Sequence, residues 1–203
     1  LLISAVLFIF ALKLFGRPST AHRANSFAML AMALAVFSAF NFDFSKYDSA
    51  FYITIVVSGL LGVVISKRVQ MTQMPELVGL FNGFGGGASG AIAYVELSNT
   101  SLPISDVFVA IFSMVIGIFT FSGSLIAVLK LRGKLNNFST KLGNIFSVFL
   151  PTILIIPAVL KMDTFLNEFI ILVALIAGVI RVAVIGGADM PVVIAFLNSL
   201  SGI

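Results

Sequence analysis

The 203 residues contain no cysteine, no tryptophan, a single histidine and only 10% charged side chains. Each shortage excludes something. Without cysteine there is no disulfide frame, no thiolate nucleophile and no Cys-based metal site. The one histidine, His22, falls in a basic stretch read as a loop, where a lone imidazole is a solvated side chain rather than a ligand. With so few charges, no stretch is polar enough to build a soluble domain. The formal net charge of +4 is therefore no argument for nucleic acid as a partner. No Walker-type loop, Ser–His–Asp set or carboxylate pair appears in a setting that a soluble active site would need.

What is present is apolar sequence, 60% of the chain. It falls into runs at Leu1–Phe15, Ser26–Phe42, Phe51–Ser66, Leu77–Val95, Val107–Leu129, Leu142–Leu160 and Phe165–Ile185, with an eighth begun at Pro191. The runs are continuous rather than alternating, and their lengths approach those that cross about 30 Å of hydrocarbon as helices. The expectation is an all-α, polytopic transmembrane helix bundle in a lipid bilayer, with seven complete spans and an eighth cut short at Ile203. Pro151 and Pro157 should kink the sixth run. The chain opens at Leu1 inside one apolar run and closes inside another, which reads as a piece of a longer protein and not as a signal peptide.

Charge gives orientation. The first, third and fifth loops hold Lys13, Arg17, Arg23, Lys67, Arg68, Lys130, Arg132, Lys134 and Lys141, whereas the even loops hold only Lys46 and Lys161 and most of the acids. Cytoplasmic loops collect Lys and Arg. The helices that start near Leu77 and Pro191 should both enter from the cytoplasmic side.

Those two helices echo each other. MPELVGLFNGFGG from Met74 and MPVVIAFLNSLSG from Met190 both open Met-Pro and place an asparagine eight residues on, Asn82 and Asn198. Proline suits the first turn, where its missing N–H is no loss. Glu76 and Asp189 suit the positive pole of a helix. Eight residues of rise put both amides about 12 Å below the helix mouth. A buried amide in oil needs a partner: it acts as glue between helices or it faces a polar path. Two at one depth, beside small residues, favour the path. Asparagine can orient water or a proton carrier but does not titrate near neutral pH. Gly186 and Gly187 precede Asp189 and would let the backbone bend. Arg181, on the preceding helix, is placed to pair with Asp189, making a hinge at the membrane surface.

Two further stretches carry polar or small residues. Gly85-x-Gly87-x-x-Gly90 matches a dinucleotide fingerprint as a string, but it lies inside an apolar run with no strand before it, so it reads as close helix packing. FTFSGS, Phe119 to Ser124, supplies three hydroxyls around Gly123. Single hydroxyls in helices mostly bond back to their own carbonyls.

KRVQMTQMPELV (from Lys67), IGGADMPVVIAFLNSLSG (from Ile185), the opening LFIFALKLF and FTFSGS together resemble the membrane domain of the beta subunit of proton-translocating nicotinamide nucleotide transhydrogenases. The resemblance implies an enzyme complex that couples proton movement to hydride transfer between NADH and NADP+. It implies NADP(H) held by a C-terminal domain of the same polypeptide and NAD(H) held on the alpha side, with no cofactor or metal in this stretch. It implies an alpha subunit or alpha-side helices as partner, a homodimeric complex, and a bacterial inner (plasma) membrane or mitochondrial inner membrane. Position by position, Asn198 matches a proton-path asparagine, Ser124 a path-lining hydroxyl, and Asp189 the acid near the junction with the NADP domain. Ser201 is read with them as path-lining. Asn82 falls where some members carry histidine; members with asparagine here draw a histidine from an alpha-side helix. The rival readings are a secondary transporter of a small polar solute, from the repeat and mid-depth amides, and a purely structural membrane subunit.

Overall fold

A proline in the first turn starts two of the helices that matter most. Pro75 and Pro191 each sit at the second residue of a helix, after a three-residue 3-10 turn. The computed structural model describes residues 1–39, 47–98, 102–135 and 164–202. The expected sixth span, with Pro151 and Pro157, lies outside them, as do the loop residues Asp43, Lys46, Lys141, Lys161 and Asp163. Among the described residues there are seven α-helices and no strand: α1 (Leu2–Phe15), α2 (Ala21–Ala39), α3 (Ser49–Arg68), α4 (Met74–Glu96), α5 (Ile104–Leu131), α6 (Thr164–Ala183) and α7 (Met190–Ser201). The all-α expectation is borne out. Three of these helices, within Ser49–Arg68, Ile104–Leu131 and Leu166–Ala183, are long and apolar enough to cross a membrane.

The helices run past the edges of the apolar runs. His22 and Arg23 belong to α2, not to a loop, and Ser26 Oγ donates to the His22 carbonyl. Lys67 and Arg68 end α3; Asp106 lies in the first turn of α5 and Lys130 nearly ends it. Helical backbone needs no apolar side chain at its ends, and long cationic side chains snorkel. Hydropathy therefore underestimates helix length. At 28 residues, α5 is about 42 Å long, more than the hydrocarbon thickness.

The chain divides into two units, Leu1–Lys67 and Arg68–Ile203. In the first, α1 and α2 form an antiparallel hairpin closed by small residues: Ala11, Ala24 and Ala31 are buried, and Ser4 Oγ donates to the Ala31 carbonyl at 2.6 Å. Phe10 meets Phe27 edge to face. α3 buries no side chain within the described residues.

In the second unit α5 is the central rod, with α4, α6 and α7 packed on it. The packing is inverted relative to a soluble protein. α4 buries Gly79, Asn82, Gly83, Gly86, Gly90 and Ala93 and exposes Phe81, Phe84, Ile92 and Val95. In lipid, large apolar groups gain nothing by turning inward, and helices associate through close backbone approach. At the crossing with α4, a Cβ on Gly117 would stand 2.5 Å from the Gly86 carbonyl oxygen and 2.6 Å from the Gly90 nitrogen. On the other flank of α5, a Cβ on Gly178 of α6 would run into Ser122 and the Phe119 carbonyl. Two apolar clusters fill the rest: Ile111, Met114, Ile170 and Ala174 toward one end, and Ala127, Val182, Met190, Ile194 and Leu197 toward the other.

Candidate functional site

The echo between the two Met-Pro motifs extends to the backbone. Gln73 before α4 has φ −95° and ψ −1°; Asp189 before α7 has φ −89° and ψ −1°. Both helices start at one end of the unit, since Arg132 after α5 pairs with Glu76 of α4, and Lys130 near the end of α5 bonds the turn before α7. From that end, α4 and α7 run side by side and their asparagines meet one cleft. It has a volume of about 590 Å³, and its polar lining is Asn82, Ser89, Asn198 and Ser201, with Gly85 between and Pro191 at the start. The cleft far exceeds the roughly 30 Å³ share of one water, and it offers several polar partners.

The two amides are held differently. Asn82 is 8% exposed, and its Nδ2 donates to Ser124 Oγ at 2.9 Å. Ser124 is fully buried on α5 and stands behind Asn82 instead of lining the cleft. Gly83, next to Asn82, lets Ser124 approach: a Cβ there would sit 3.2 Å from Ser124 Cβ. Such a bond between membrane helices stabilises by about 0.6–2 kcal/mol, so Asn82 serves as glue and as lining together. Asn198 is exposed on α7, and Ser201 Oγ donates to its backbone carbonyl at 3.0 Å.

Ser89, which the sequence reading passed over within the glycine run, is a junction. It lines this cleft and two adjoining hollows of about 470 and 320 Å³. The larger reaches Glu96 and Asp106 at the opposite end of the unit; the smaller includes Ser113, Gly117 and Ser201. Its signal was a serine seven residues after Asn82, two helical turns along the same face. Gly85 has open space where a Cβ would go, while Gly90 is pressed against Ile118. The Gly85–Gly90 string is thus helical surface with a packing role, as read.

Of the hydroxyls in FTFSGS, Ser122 Oγ donates to the Phe119 carbonyl, as a helix-internal hydroxyl does. Thr120 Oγ1 is fully buried with no partner among the described residues.

At the basic end, the structure adds to three readings. Glu76 is more than a helix-dipole acid: Arg132 Nε donates to it at 2.7 Å, tying α4 to the end of α5. Gly186 has φ −63° and ψ 147°, which any residue adopts, and a Cβ on Gly186 or Gly187 would make only ordinary contacts at 3.6 and 3.8 Å. Glycine is not demanded at either position in this conformation. Lys130, read as a loop cation, is 5% exposed and donates through Nζ to the carbonyls of Ala183 and Ile185, the latter at 2.5 Å. A charge so buried needs partners, and orphan carbonyls at the negative pole of a helix supply them. Arg181, in the last turn of α6, and Asp189 are both exposed.

Apolar helices with small residues inside, large ones outside and an amide-lined cleft between two of them define an integral membrane helix bundle with an internal polar surface. The comparison with known sequences narrows the class. The family model for the NAD(P) transhydrogenase beta subunit matches residues 1–203, and the chain belongs to that family. Two curated relatives from Rhodospirillum rubrum, each named NAD(P) transhydrogenase subunit beta, are 31% identical over 215 residues, covering 99% of this chain and 46% of their own length. The chain thus spans about half the length of the curated relatives it matches.

Proposed function

We propose that these residues form the proton-conducting membrane part of a nicotinamide nucleotide transhydrogenase, coupling proton translocation to hydride transfer between NADH and NADP+. One observation carries the reading: Asn82 and Asn198, from twin helices, line a single cleft with Ser89 and Ser201. Family membership supports it and disfavours the rival transporter. Water follows the cleft past the two amides, which orient it by donating and accepting hydrogen bonds. Ser124 keeps the Asn82 amide fixed. Neither amide holds the proton; as in the family members that carry asparagine at the position of Asn82, a histidine from an alpha-side helix supplies the titrating group.

NAD(H) and NADP(H) are bound outside these residues, NADP(H) by a domain of the same polypeptide and NAD(H) by the alpha side. The complex is a homodimer in a bacterial inner or mitochondrial inner membrane, with the Lys- and Arg-rich end cytoplasmic in the bacterial case. The turn at Gly186, Gly187 and Asp189, with Arg181 beside it, carries the state of the path toward the NADP domain. Proton passage drives this only if the two states contact that turn differently.

Asn198→Leu tests the path. It replaces the amide by an apolar group with the same branching on a helix held by Met190, Ile194 and Leu197. In vesicles carrying the whole complex, proton movement should fall at least tenfold while the protein still inserts. Pumping and coupled hydride transfer at wild-type rates would sink the assignment.

A further inference from the structure

Lys130 has no part in the path as described above. It lies six residues beyond Ser124 on α5, about 9 Å along the axis, and is buried with its side chain bonded. Its Nζ reaches the carbonyl of Ala183, the last residue of α6, and that of Ile185, in the turn that follows. Gly187, one residue into the 3-10 turn, faces the Lys130 backbone carbonyl. The end of α5 thus holds the α6–α7 turn through the Lys130 side chain, with its main chain passing close by. α7 begins at Met190, which is fully buried, and Asn198 lies eight residues along it. A helix is stiff over two turns, so where α7 starts determines how deep Asn198 sits. Asn82 is referred to the same rod, since Ser124 of α5 holds its amide. One helix therefore fixes both sides of the cleft, through Ser124 on one side and Lys130 on the other.

We propose that Lys130 is a positioning residue of the proton path: its hold on the Ala183 and Ile185 carbonyls sets the depth at which Asn198 faces Asn82. The inference rests on the path reading above. A neutral side chain of similar length would leave the last carbonyl of α6 and one in the following turn without their cation. The turn would then be free to shift, carrying α7 with it.

The test uses the whole complex in membrane vesicles. Hydride transfer from NADPH to an NAD analogue and proton movement, followed by a pH-sensitive dye, are read in the same sample and expressed as protons moved per hydride. That ratio does not depend on how much enzyme folds, so a merely structural loss leaves it unchanged. Lys130→Met should lower it at least fivefold. Lys134→Met, at an exposed position beyond α5, should leave it within measurement error. If Lys130→Met does not accumulate, Lys130→Arg decides. Its guanidinium keeps the charge but is planar and longer, so it must displace the turn, and the ratio should fall at least twofold. A wild-type ratio in either Lys130 variant, with Asn198→Leu abolishing pumping, overturns the proposal and leaves the path intact. Wild-type rates of both pumping and hydride transfer in Asn198→Leu overturn the path reading, and the role of Lys130 falls with it.

Discussion

At the residue scale, the hydroxyls of FTFSGS separate by what they meet. Ser124 has Asn82 across the interface, Ser122 its own helix, and Thr120 nothing among the described residues. An unmade hydrogen bond in a buried site is a standing penalty. Thr120→Val keeps the branched shape, including the methyl group against Gly86, and removes the unpaired oxygen. The expected outcome is unchanged or higher stability, by up to about 1 kcal/mol, read as the melting temperature of the purified protein in detergent. A clear drop would mean that the hydroxyl has a partner in the membrane, such as a water.

Asn82 and Asn198 were legible as a pair because proline marks a helix start and a constant offset fixes depth. What the sequence could not reveal was that Asn82 is buried against Ser124, forty-two residues away, while Asn198 is exposed. Lys130 was hidden for a related reason. A lysine at the edge of an apolar run reads as a snorkelling loop charge, and only the arrival of the α6 carbonyls, more than fifty residues on, makes it a buried cap. The Gly186–Gly187 pair was legible as freedom to bend, and the turn in this conformation uses an ordinary backbone.

At the scale of elements, the contact between α4 and α5 is backbone against backbone. Gly117→Ala would bring its methyl group against the carbonyl oxygen of Gly86 and the main chain of Gly90, none of which can rotate away. The helices must separate, costing roughly 1–3 kcal/mol as for overpacked cores. Gly85→Ala, one position from Gly86 but facing open space, should be neutral or stabilising by up to about 1 kcal/mol through helix propensity. Thermal unfolding of the two variants side by side checks the contrast; equal effects would mean that α4 is rotated relative to this arrangement. This face was readable as small residues at helical spacing. Its partner was not, because glycine carries no mark of what it touches.

For the molecule as a whole, the alternation of basic and acidic loops predicts a single orientation. Within the second unit the structure keeps its two ends distinct: Glu76, Lys130, Arg132, Arg181 and Asp189 gather at one, Glu96 and Asp106 at the other. These 203 residues lack cysteine, so none of them competes with an introduced thiol. Lys134→Cys should react with a membrane-impermeant maleimide only after cells are opened, and Ser105→Cys should react in intact cells. The reverse pattern would turn the protein over and, with it, the side from which the cleft fills.

The glycine contacts along both flanks of α5 also bear on how force passes through the bundle. A rod with main chain pressed against it on two sides resists rolling, because any roll drives bulky side chains into backbone that has no slack. Sliding along its own axis is resisted as well, because it would push Thr120 and Ile118 off their seats on Gly86 and Gly90 and part Ser124 from Asn82. A push at either end should therefore be carried across the lipid by the packed helices moving as one block, and hardly at all as a twist or slip of one against the next.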